Sequence, residues 1–298
     1  MPIVFRPART DDLPRAQVLV VRSINDLTER HGFGPMATVR SPDFQLFCLK
    51  DDPEGLWVAE DGDEIVGFAF SWACGDLWFL AELFVAPGQQ GRGIGNKLLA
   101  HTLDHARKAG ATNKSLITFT FNVVSQGLYI RHGMLPRLPI YLFSGGFRAE
   151  DRSRGDKLHC ATIEPSPSHL NILSKFDAGT LGFSREKHHR YLLGDATMKG
   201  VFLQDCGDCV GYAYVSTTGH VGPVAVTQSR YMGAAFTTAL DLAAAGGGER
   251  LSAFLPGVSD ACRIASEHRM RIRFPMVLVS ASEFGDWTCY LPRNPGFM

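Results

Sequence analysis

Apolar residues recur with two different periods along the first half of the chain. Runs in which apolar residues alternate with polar ones or follow one another directly predict strands. Between these runs, apolar positions at helical spacing predict one helix from about Thr10 to Thr28 and another that ends near Lys108. The predicted strands are Ile3–Arg6, Leu56–Glu60, Glu64–Trp72, Leu77–Val85 and Ser115–Phe121. This order predicts an α/β fold.

Two punctuated segments interrupt this pattern. Asp61-Gly62-Asp63 separates two predicted strands and is typical of a tight hairpin turn. The segment Arg30–Pro53 contains several glycines and prolines, so we expect an irregular or broken helical lid there. Such loops often carry substrate selectivity.

The stretch Leu77–Leu99 combines a predicted buried strand, a glycine-rich turn and a helix start. Glycines at positions 91, 93 and 95 allow backbone N–H groups to approach a ligand closely, and the first turn of a helix adds its partial positive charge. The pattern therefore predicts a phosphate or pyrophosphate site. It is not a Walker A loop, because Gly95 is followed by Asn96-Lys97, and the G-x-G-x-G spacing does not match the dinucleotide-binding fingerprint.

The loop Gln90-Gly91-Arg92-Gly93-Ile94-Gly95 resembles the Q/R-x-x-G-x-G/A motif of the GNAT superfamily of acyl-CoA-dependent N-acetyltransferases. The resemblance extends from about Ile3 to Phe143 and implies a mixed, mostly antiparallel sheet flanked by helices, with acetyl-CoA as the cofactor. It also implies that backbone groups on the splayed central strand pair with the pantetheine arm. The residues that the resemblance places at the cofactor are Leu83, Phe84, Val85, Gln90, Gly91, Arg92, Gly93, Ile94, Gly95 and Asn96.

A second motif lies in the segment from Asn122 to Met134, which is similar to the family pattern N-x-x-S/A-x-x-L/F-Y-x-x-x-G-F/M. By this resemblance, Asn122 bonds the pantetheine amides, Ser125 lies near the cofactor and Tyr129 protonates the departing thiolate. A phenol is a suitable donor to a thiolate. The alternative is that Tyr129 only packs on an amphipathic helix.

Glu82 is the only ionisable residue within the predicted central strand. Because burial of a carboxylate is costly, Glu82 is a candidate general base with a raised pKa. The alternative is that it reaches solvent or a buried partner at the strand edge. Asp76, just before the strand, is the second candidate.

The second half of the sequence repeats features of the first in the same order. Val66–Phe70 is echoed by Val210–Tyr214, and each segment follows a Gly-Asp turn. The pattern predicts a degenerate second repeat and resembles bacterial tandem-GNAT proteins. We therefore expect a catalytic GNAT domain at 1–146 and a degenerate GNAT-like domain at 147–298, which completes the acceptor pocket or an interface.

The second repeat lacks the chemistry of the first. Its loop at Gln228–Gly233 has no glycine run, and alignment of Met134 with Met270 sets Tyr129 opposite Ala265. The same alignment sets Asn122 opposite Val258 and Ser125 opposite Ala261. We therefore expect a single CoA site. Basic residues after Phe183 are expected to form a solvated face, with an anionic ligand as the alternative; they are Arg185, His188, His189 and Arg190.

Composition narrows the class of protein. The 298 residues carry a formal net charge of zero and 45% hydrophobic residues, which is typical of a globular protein and argues against nucleic-acid or anionic-membrane binding. With seven scattered cysteines and no visible signal peptide or membrane span, we expect reduced thiols and a cytoplasmic location. No metal site is expected. Cys206 and Cys209 form a lone C-x-x-C motif without the second pair of ligands that a zinc site needs, and exposed helix positions account for His101, His105 and His132.

Together these features predict direct transfer of an acetyl group from acetyl-CoA to a primary amine of a small molecule or peptide. Tyr129 is the predicted acid and Glu82 the predicted base. The alternative is a non-catalytic acyl-CoA-binding sensor or assembly module, although such a protein would need neither residue. O-acylation or a longer acyl donor is also open. Family members often form dimers, so a homodimer is a further expectation.

Overall fold

The computed structural model describes residues 2–146, 157–248 and 250–298. They form two compact units. The first extends to Leu135 and also contains Val279–Ser282, and the second comprises Pro136–Leu278 and Glu283–Met298. The predicted boundary at 146/147 lies at the end of a strand, whereas the units divide at 135/136. Part of the segment that separates the two predicted domains, 147–156, lies outside the described residues.

The first unit follows the predicted order of strands and helices closely. Its central feature is the hairpin around Gly62, which joins two antiparallel strands as the sequence predicted. The sheet order is β1-β2-β3-β4-β5, with β4 and β5 parallel and the other neighbours antiparallel. The elements are β1 (Val4–Pro7), α1 (Leu13–Arg30), α2 (Asp43–Asp51), β2 (Leu56–Asp61), β3 (Glu64–Cys74), β4 (Leu77–Val85), α3 (Ile94–Lys108), β5 (Asn113–Phe119) and α4 (Val123–Arg131).

Helices cover both faces of this sheet. On one face, Ile94 and Leu98 of α3 pack against Ala59, Val66 and Ala69 of the strands, and the side chains of Leu83 and Val85 adjoin this cluster. Side chains alternate between faces along a strand, so Glu82 and Phe84 project to the opposite face. Helix α1, which packs on β3 and β4, buries the stripe Leu13, Ala16, Leu19, Val20 and Ser23.

The second unit repeats this order. A hairpin turn at Gly207 joins two of its strands, as Gly62 does in the first unit, and β10 pairs in parallel with β11. The sheet order is β12-β6-β11-β10-β9-β8-β7, with β13 paired to β10. The elements are β6 (Leu135–Gly146), β7 (His159–Thr162), α5 (Pro167–Leu181), α6 (Glu186–Gly194), β8 (Met198–Asp205), β9 (Asp208–Ser216), β10 (His220–Val226), α7 (Met232–Ala245), β11 (Arg250–Pro256), α8 (Ala261–Glu267), β12 (Arg271–Ser280) and β13 (Tyr290–Leu291).

In each unit, one strand position is occupied by a segment from the other half of the sequence. In the first unit, Val279–Ser282 lies beside β5: Ser115 Oγ donates to the Val279 carbonyl at 2.9 Å, and the Ala281 N–H donates to the Lys114 carbonyl at 2.9 Å. In the second unit, β6 pairs antiparallel with β11 from Ile140 to Gly146, which covers the whole of β11. A cut at 146 would therefore remove a strand from both units.

The predicted solvated basic face is wrong for three of its four residues. Arg185, His188 and His189 are buried, and only Arg190 is exposed. The anion that accounts for them belongs to the chain itself: the buried Asp177 carboxylate accepts from Arg185 Nε at 3.0 Å and lies 3.0 Å from His189 Nε2. This pairing holds the pKa of Asp177 well below its usual range.

His105 is also buried, which corrects the expectation of an exposed helix position. Its Nδ1 lies 3.0 Å from Ser71 Oγ and its Nε2 lies 2.8 Å from Asp52 Oδ2. Asp52 directly follows α2, so this arrangement joins the end of α2 to α3 and β3. Ser71 is fully buried, and the array is therefore closed to a substrate. In the described residues, no helix has the length and apolar character needed to cross a membrane.

Candidate active site

The candidate site begins where β4 leaves β5. The two strands pair in parallel from Leu77 to Leu80, and the pairing stops there although β4 continues to Val85. On its other edge, β4 stays paired with β3, but the register shifts between Phe70/Glu82 and Ser71/Leu80, which leaves Ala81 as an extra, bulged residue. The bulge turns the end of β4, and a cleft opens between β4 and β5.

Backbone groups of β4 face this cleft at alternate positions. The Ala86 N–H donates to the Val66 carbonyl at 2.9 Å, and in an antiparallel ladder every second residue faces the same neighbour. Phe84 is therefore turned toward β3, and Leu83 and Val85 are turned toward the cleft. Leu83, Phe84 and Val85 were all predicted to offer free backbone groups, but the backbone of Phe84 faces β3 instead of the cleft.

The glycine loop connects the end of β4 to α3. Gly91 and Gly93 both have φ of +80°, a region that other residues rarely adopt, and α3 begins directly after Gly93 without a side-chain cap. The first intrahelical bond runs from the Lys97 N–H to the Gly93 carbonyl. Within the described chain, the N–H groups of residues 91–96 have no acceptor, so they are available to an anion.

Side chains around the loop stabilise it or remain exposed. Gln90 Nε2 donates to the Val85 carbonyl at 3.2 Å, which ties the loop to the end of β4. The Ile94 side chain is buried in the core beneath α3, so only its backbone can reach a ligand. Arg92 is half-exposed and lies 3.9 Å from Asp61, and Asn96 Oδ1 lies 3.2 Å from His132 Nε2. Gly95 lies within the first turn of α3.

Helix α4 presents the second predicted motif. Asn122 is its N-cap, and its Oδ1 accepts from the Ser125 N–H at 3.2 Å. Tyr129 lies one turn after Ser125 and is buried. Burial raises the pKa of the Tyr129 phenol above its usual range, and a hydrogen bond with Ser125 opposes the shift. The phenol is therefore protonated at neutral pH and can donate a proton.

Glu82 lies on the bulged part of β4, on the face covered by α1. Its Oε1 accepts from Gln45 Nε2 on α2 at 3.0 Å, and its Oε2 is buried without a partner among the described residues. Burial raises the pKa of Glu82 to about 7, and the Gln45 hydrogen bond lowers it. A carboxylate that titrates near neutral pH is suited to accept a proton from an ammonium group.

Asp76 lies outside the cleft. It is exposed in the turn before β4, and its Oδ2 accepts from Thr112 Oγ1 at 3.2 Å. Glu82 lies six positions further along the strand, which corresponds to roughly 20 Å. The second candidate base is therefore excluded by its position.

Two residues near the site were not predicted from the sequence. Gln45 bonds Glu82, but it lies in the predicted lid, where no residue pattern marks it. Ser23 on α1 donates its hydroxyl to the Val85 carbonyl at 3.3 Å. A buried serine on the apolar stripe of α1 was the one available signal for this second contact.

The corresponding cleft in the second unit is filled by the chain itself. Strands β10 and β11 pair in parallel only at His220 and Val221. Beyond that point β13 pairs antiparallel with β10, with Leu291 opposite Val224, and the Val226 N–H donates to the Cys289 carbonyl at 3.0 Å. The edge of β4 beyond Leu80 is open, whereas β13 covers the corresponding edge of β10.

The end of α8 confirms the alignment of the two repeats. The Met134 N–H donates to the Tyr129 carbonyl at 3.1 Å, and the Met270 N–H donates to the Ala265 carbonyl at 2.9 Å. Ala265 therefore takes the place of Tyr129 in the second unit.

Comparison with known proteins agrees with this geometry. The sequence model of the acetyltransferase (GNAT) family matches residues 22–134, which include β4, the glycine loop and α4. An uncharacterized N-acetyltransferase from Archaeoglobus fulgidus is 33% identical over 112 residues, covering 34% of this chain and 72% of the relative. The chain belongs to the GNAT acetyltransferase family. This membership supports an acyltransferase.

Solved structures of this GNAT fold extend the likeness to the whole chain. A candidate acetyltransferase from Pyrococcus horikoshii has a TM-score of 0.78 at 15% identity, covering 99% of this chain and 96% of that one. A GCN5-related N-acetyltransferase from Sphaerobacter thermophilus has a TM-score of 0.65 at 16% identity, with 95% of each chain covered. A tandem GNAT protein from the clavulanic acid biosynthesis pathway has a TM-score of 0.59 at 15% identity, covering 95% and 99%. The predicted fold of two tandem GNAT-like units is confirmed.

Proposed function

We propose that this GNAT protein transfers an acetyl group from acetyl-CoA directly to a primary amine at the cleft of the first unit. The observation that carries the proposal is that a titratable group lies on each of two elements beside the cleft, β4 and the helix α4 that follows β5. Glu82 on β4 has a pKa of about 7, and Tyr129 on α4, which follows β5, remains protonated. Two groups whose surroundings separate their protonation states are suited to act as base and acid.

The residues of the cleft fit acetyl-CoA. The unpaired N–H groups that follow Gly91 suit a pyrophosphate. The cleft-facing backbone of Leu83 and the N–H of Val85 suit the amides of a pantetheine arm; the Val85 carbonyl already accepts from Gln90 and Ser23. Asn122 and Ser125 lie at the start of α4, where their side chains can adjoin the same arm. When bound, acetyl-CoA would supply the thioester from which the acetyl group is transferred.

The roles of the two titratable groups follow from their surroundings. Glu82, or a water molecule that it orients, takes the proton of the ammonium acceptor, and the Gln45 amide holds the carboxylate in place. Tyr129 donates its phenolic proton to the sulfur that leaves. Cleft-facing N–H groups of β4 polarise the thioester carbonyl. Each step uses a group that the first unit already holds.

The proposal is tested by release of free thiol from acetyl-CoA in the presence of a broad panel of amines, amino acids and peptides. Mass spectrometry of the product mixture identifies the acetylated acceptor. We expect at least one amine to stimulate release and to gain one acetyl group. Tight binding of CoA by calorimetry without any stimulated release would instead support a sensor or assembly module, and failure to bind CoA would contradict the assignment of the glycine loop.

A further inference from the structure

Aromatic side chains surround Glu82 on the face from which an acceptor would reach it. Phe70 lies directly opposite Glu82 on the neighbouring strand, so their side chains share this face. Phe44, adjacent to Gln45 on α2, packs edge-on against Phe70 with ring centroids 5.6 Å apart. Phe47 lies a further turn along α2, 6.5 Å from Phe44. The rings of Phe70, Phe44 and Phe47 therefore lie on the same side of the sheet as Glu82.

A second group of rings lies across the cleft. Leu80 pairs with Leu116, so the β5 residue level with Glu82 is Thr118, next to Phe119. Phe119 stacks on Phe121 at 4.9 Å, and Phe121 stacks on Phe33 at 4.8 Å. Phe33 follows α1, the helix on the Glu82 face, and 41% of its surface is exposed. A large ring that is stacked on one side and open on the other can accept another ring.

The loop that carries this outer ring is held in one conformation. Asn25 Oδ1 accepts from the N–H groups of Met36 and Ala37, both at 2.8 Å, and Asn25 Nδ2 donates to the Ala37 carbonyl at 3.0 Å. Thr28 Oγ1 donates to the Gly34 carbonyl at 2.7 Å. Phe33 is therefore held in position before an acceptor binds, which reduces the entropic cost of binding the acceptor.

Among the described residues, Glu82 forms no ion pair: its Oε1 accepts from the neutral Gln45 amide, and its Oε2 is buried without a partner. Burial and that hydrogen bond set the pKa of the carboxylate. An acceptor that carried a carboxylate beside its amine would bury that charge without a counterion, at a large cost. An acceptor with a polar body would lose its hydration against the phenylalanine rings.

We propose that the acceptor is a primary amine on an aromatic body that carries no carboxylate next to the amine. Phe33 and Phe121 contact the ring of this acceptor and determine specificity, and Glu82 takes the ammonium proton. The inference rests on the proposed acetyl transfer and names the substrate class of that site.

Four amines test the proposal with acetyl-CoA and the full-length protein. They are 2-phenylethylamine, phenylalanine, phenylalaninamide and ethanolamine; phenylalaninamide has the branching of phenylalanine without its charge. We expect kcat/KM for 2-phenylethylamine to exceed that for ethanolamine and for phenylalanine by about tenfold or more. Phenylalaninamide should be a better acceptor than phenylalanine. Equal kcat/KM for 2-phenylethylamine and ethanolamine would overturn the ring preference while leaving acetyl transfer established.

Two variants, each at an exposed apolar residue, test the role of Phe33 in specificity. Phe33→Ser should lower the ratio of kcat/KM for 2-phenylethylamine to that for ethanolamine about tenfold. Ile272→Ser removes an exposed apolar side chain from the second unit and should leave the ratio unchanged. An unchanged ratio in Phe33→Ser would contradict the assignment of Phe33. If none of the four amines stimulates thiol release but the broad panel reveals another acceptor, the acceptor class is wrong and the transferase proposal stands.

Discussion

The side-chain amide of Gln45 donates to the carboxylate of Glu82 at 3.0 Å, and this bond joins α2 to the bulged end of β4. It stabilises the charged form of a carboxyl group that burial otherwise keeps protonated. The two opposing effects leave Glu82 with a pKa of about 7, so the group that α2 covers is also the one that titrates near neutral pH.

The pH dependence of acetyl transfer should report this carboxyl group. A general base acts only when deprotonated, so kcat in the wild-type protein should rise through about pH 7 and level off above it. Glu82→Gln should lower kcat by about 100-fold or more and abolish this rise. Gln45→Leu removes the hydrogen bond that lowers the pKa and should move the rise to higher pH. A rise that persists unchanged in Glu82→Gln would assign it to another group.

Glu82→Gln should also stabilise the folded protein at alkaline pH. Because the pKa of Glu82 is raised in the folded state, the folded protein binds more protons than the unfolded chain between about pH 4.5 and 7. Its contribution to stability is fully present below pH 4.5 and is lost as the pH rises through 7. At pH 8, Glu82→Gln should therefore increase the free energy of unfolding by on the order of 3 kcal/mol, with little change at pH 4.5.

Urea denaturation at the two pH values measures this difference directly. An equal effect of Glu82→Gln at pH 4.5 and pH 8 would mean that the carboxyl group has an ordinary pKa in the folded protein. Loss of activity together with a gain in stability distinguishes a carboxyl group that has a function from one that only contributes to packing.

Substitution in the glycine loop should weaken cofactor binding. Gly93 has φ of +80°, and an alanine there costs about 1–2 kcal/mol or moves the N–H groups out of place. Gly93→Ala should therefore raise the Kd for CoA about tenfold in calorimetric titration. Gly88→Ala is the matched control: an added Cβ meets no atom within 4 Å at either glycine, but the φ of Gly88 lies outside the left-handed region. Equal affinities for the two variants would contradict an anion site at this loop.

The number of CoA molecules bound should be one per chain. Tyr290–Leu291 fills the cleft of the second unit, and Ser229–Tyr231 forms a short 3-10 turn directly before α7, where the sequence has no glycine run. Calorimetric titration of the full-length protein should give a stoichiometry of one, and this site should be lost in a variant that disrupts the first loop. A second site of similar affinity would show that β13 leaves its position beside β10.

Local patterns predicted much of the fold and selected the residues of the candidate site. The hairpin around Gly62, the strand–glycine loop–helix order and the Tyr129 motif each depend on residues that are close in sequence. Glu82 could be selected because it is the only ionisable residue in a buried strand. Short-range chemistry of this kind is visible in a single sequence.

Features that depend on distant parts of the chain could not be predicted. The partner of Glu82 is Gln45, 37 residues earlier. The exchange of Val279–Ser282 into the first unit leaves no local pattern, because the segment reads as an ordinary strand end. His105 was misjudged for the same reason: its burial depends on Asp52 and Ser71 from other elements.

Acetyl transfer by Tyr129→Phe beside Tyr141→Phe tests the central claim most directly. Each variant removes one phenolic hydroxyl; Tyr129 lies on α4 of the first unit, and Tyr141 lies on β6 of the second. With saturating amine, acetylated product measured by mass spectrometry should fall about 100-fold or more in Tyr129→Phe, with CoA affinity retained, and should be unchanged in Tyr141→Phe. Wild-type product formation by Tyr129→Phe would contradict the assignment of the acid, and with it the proposed mechanism.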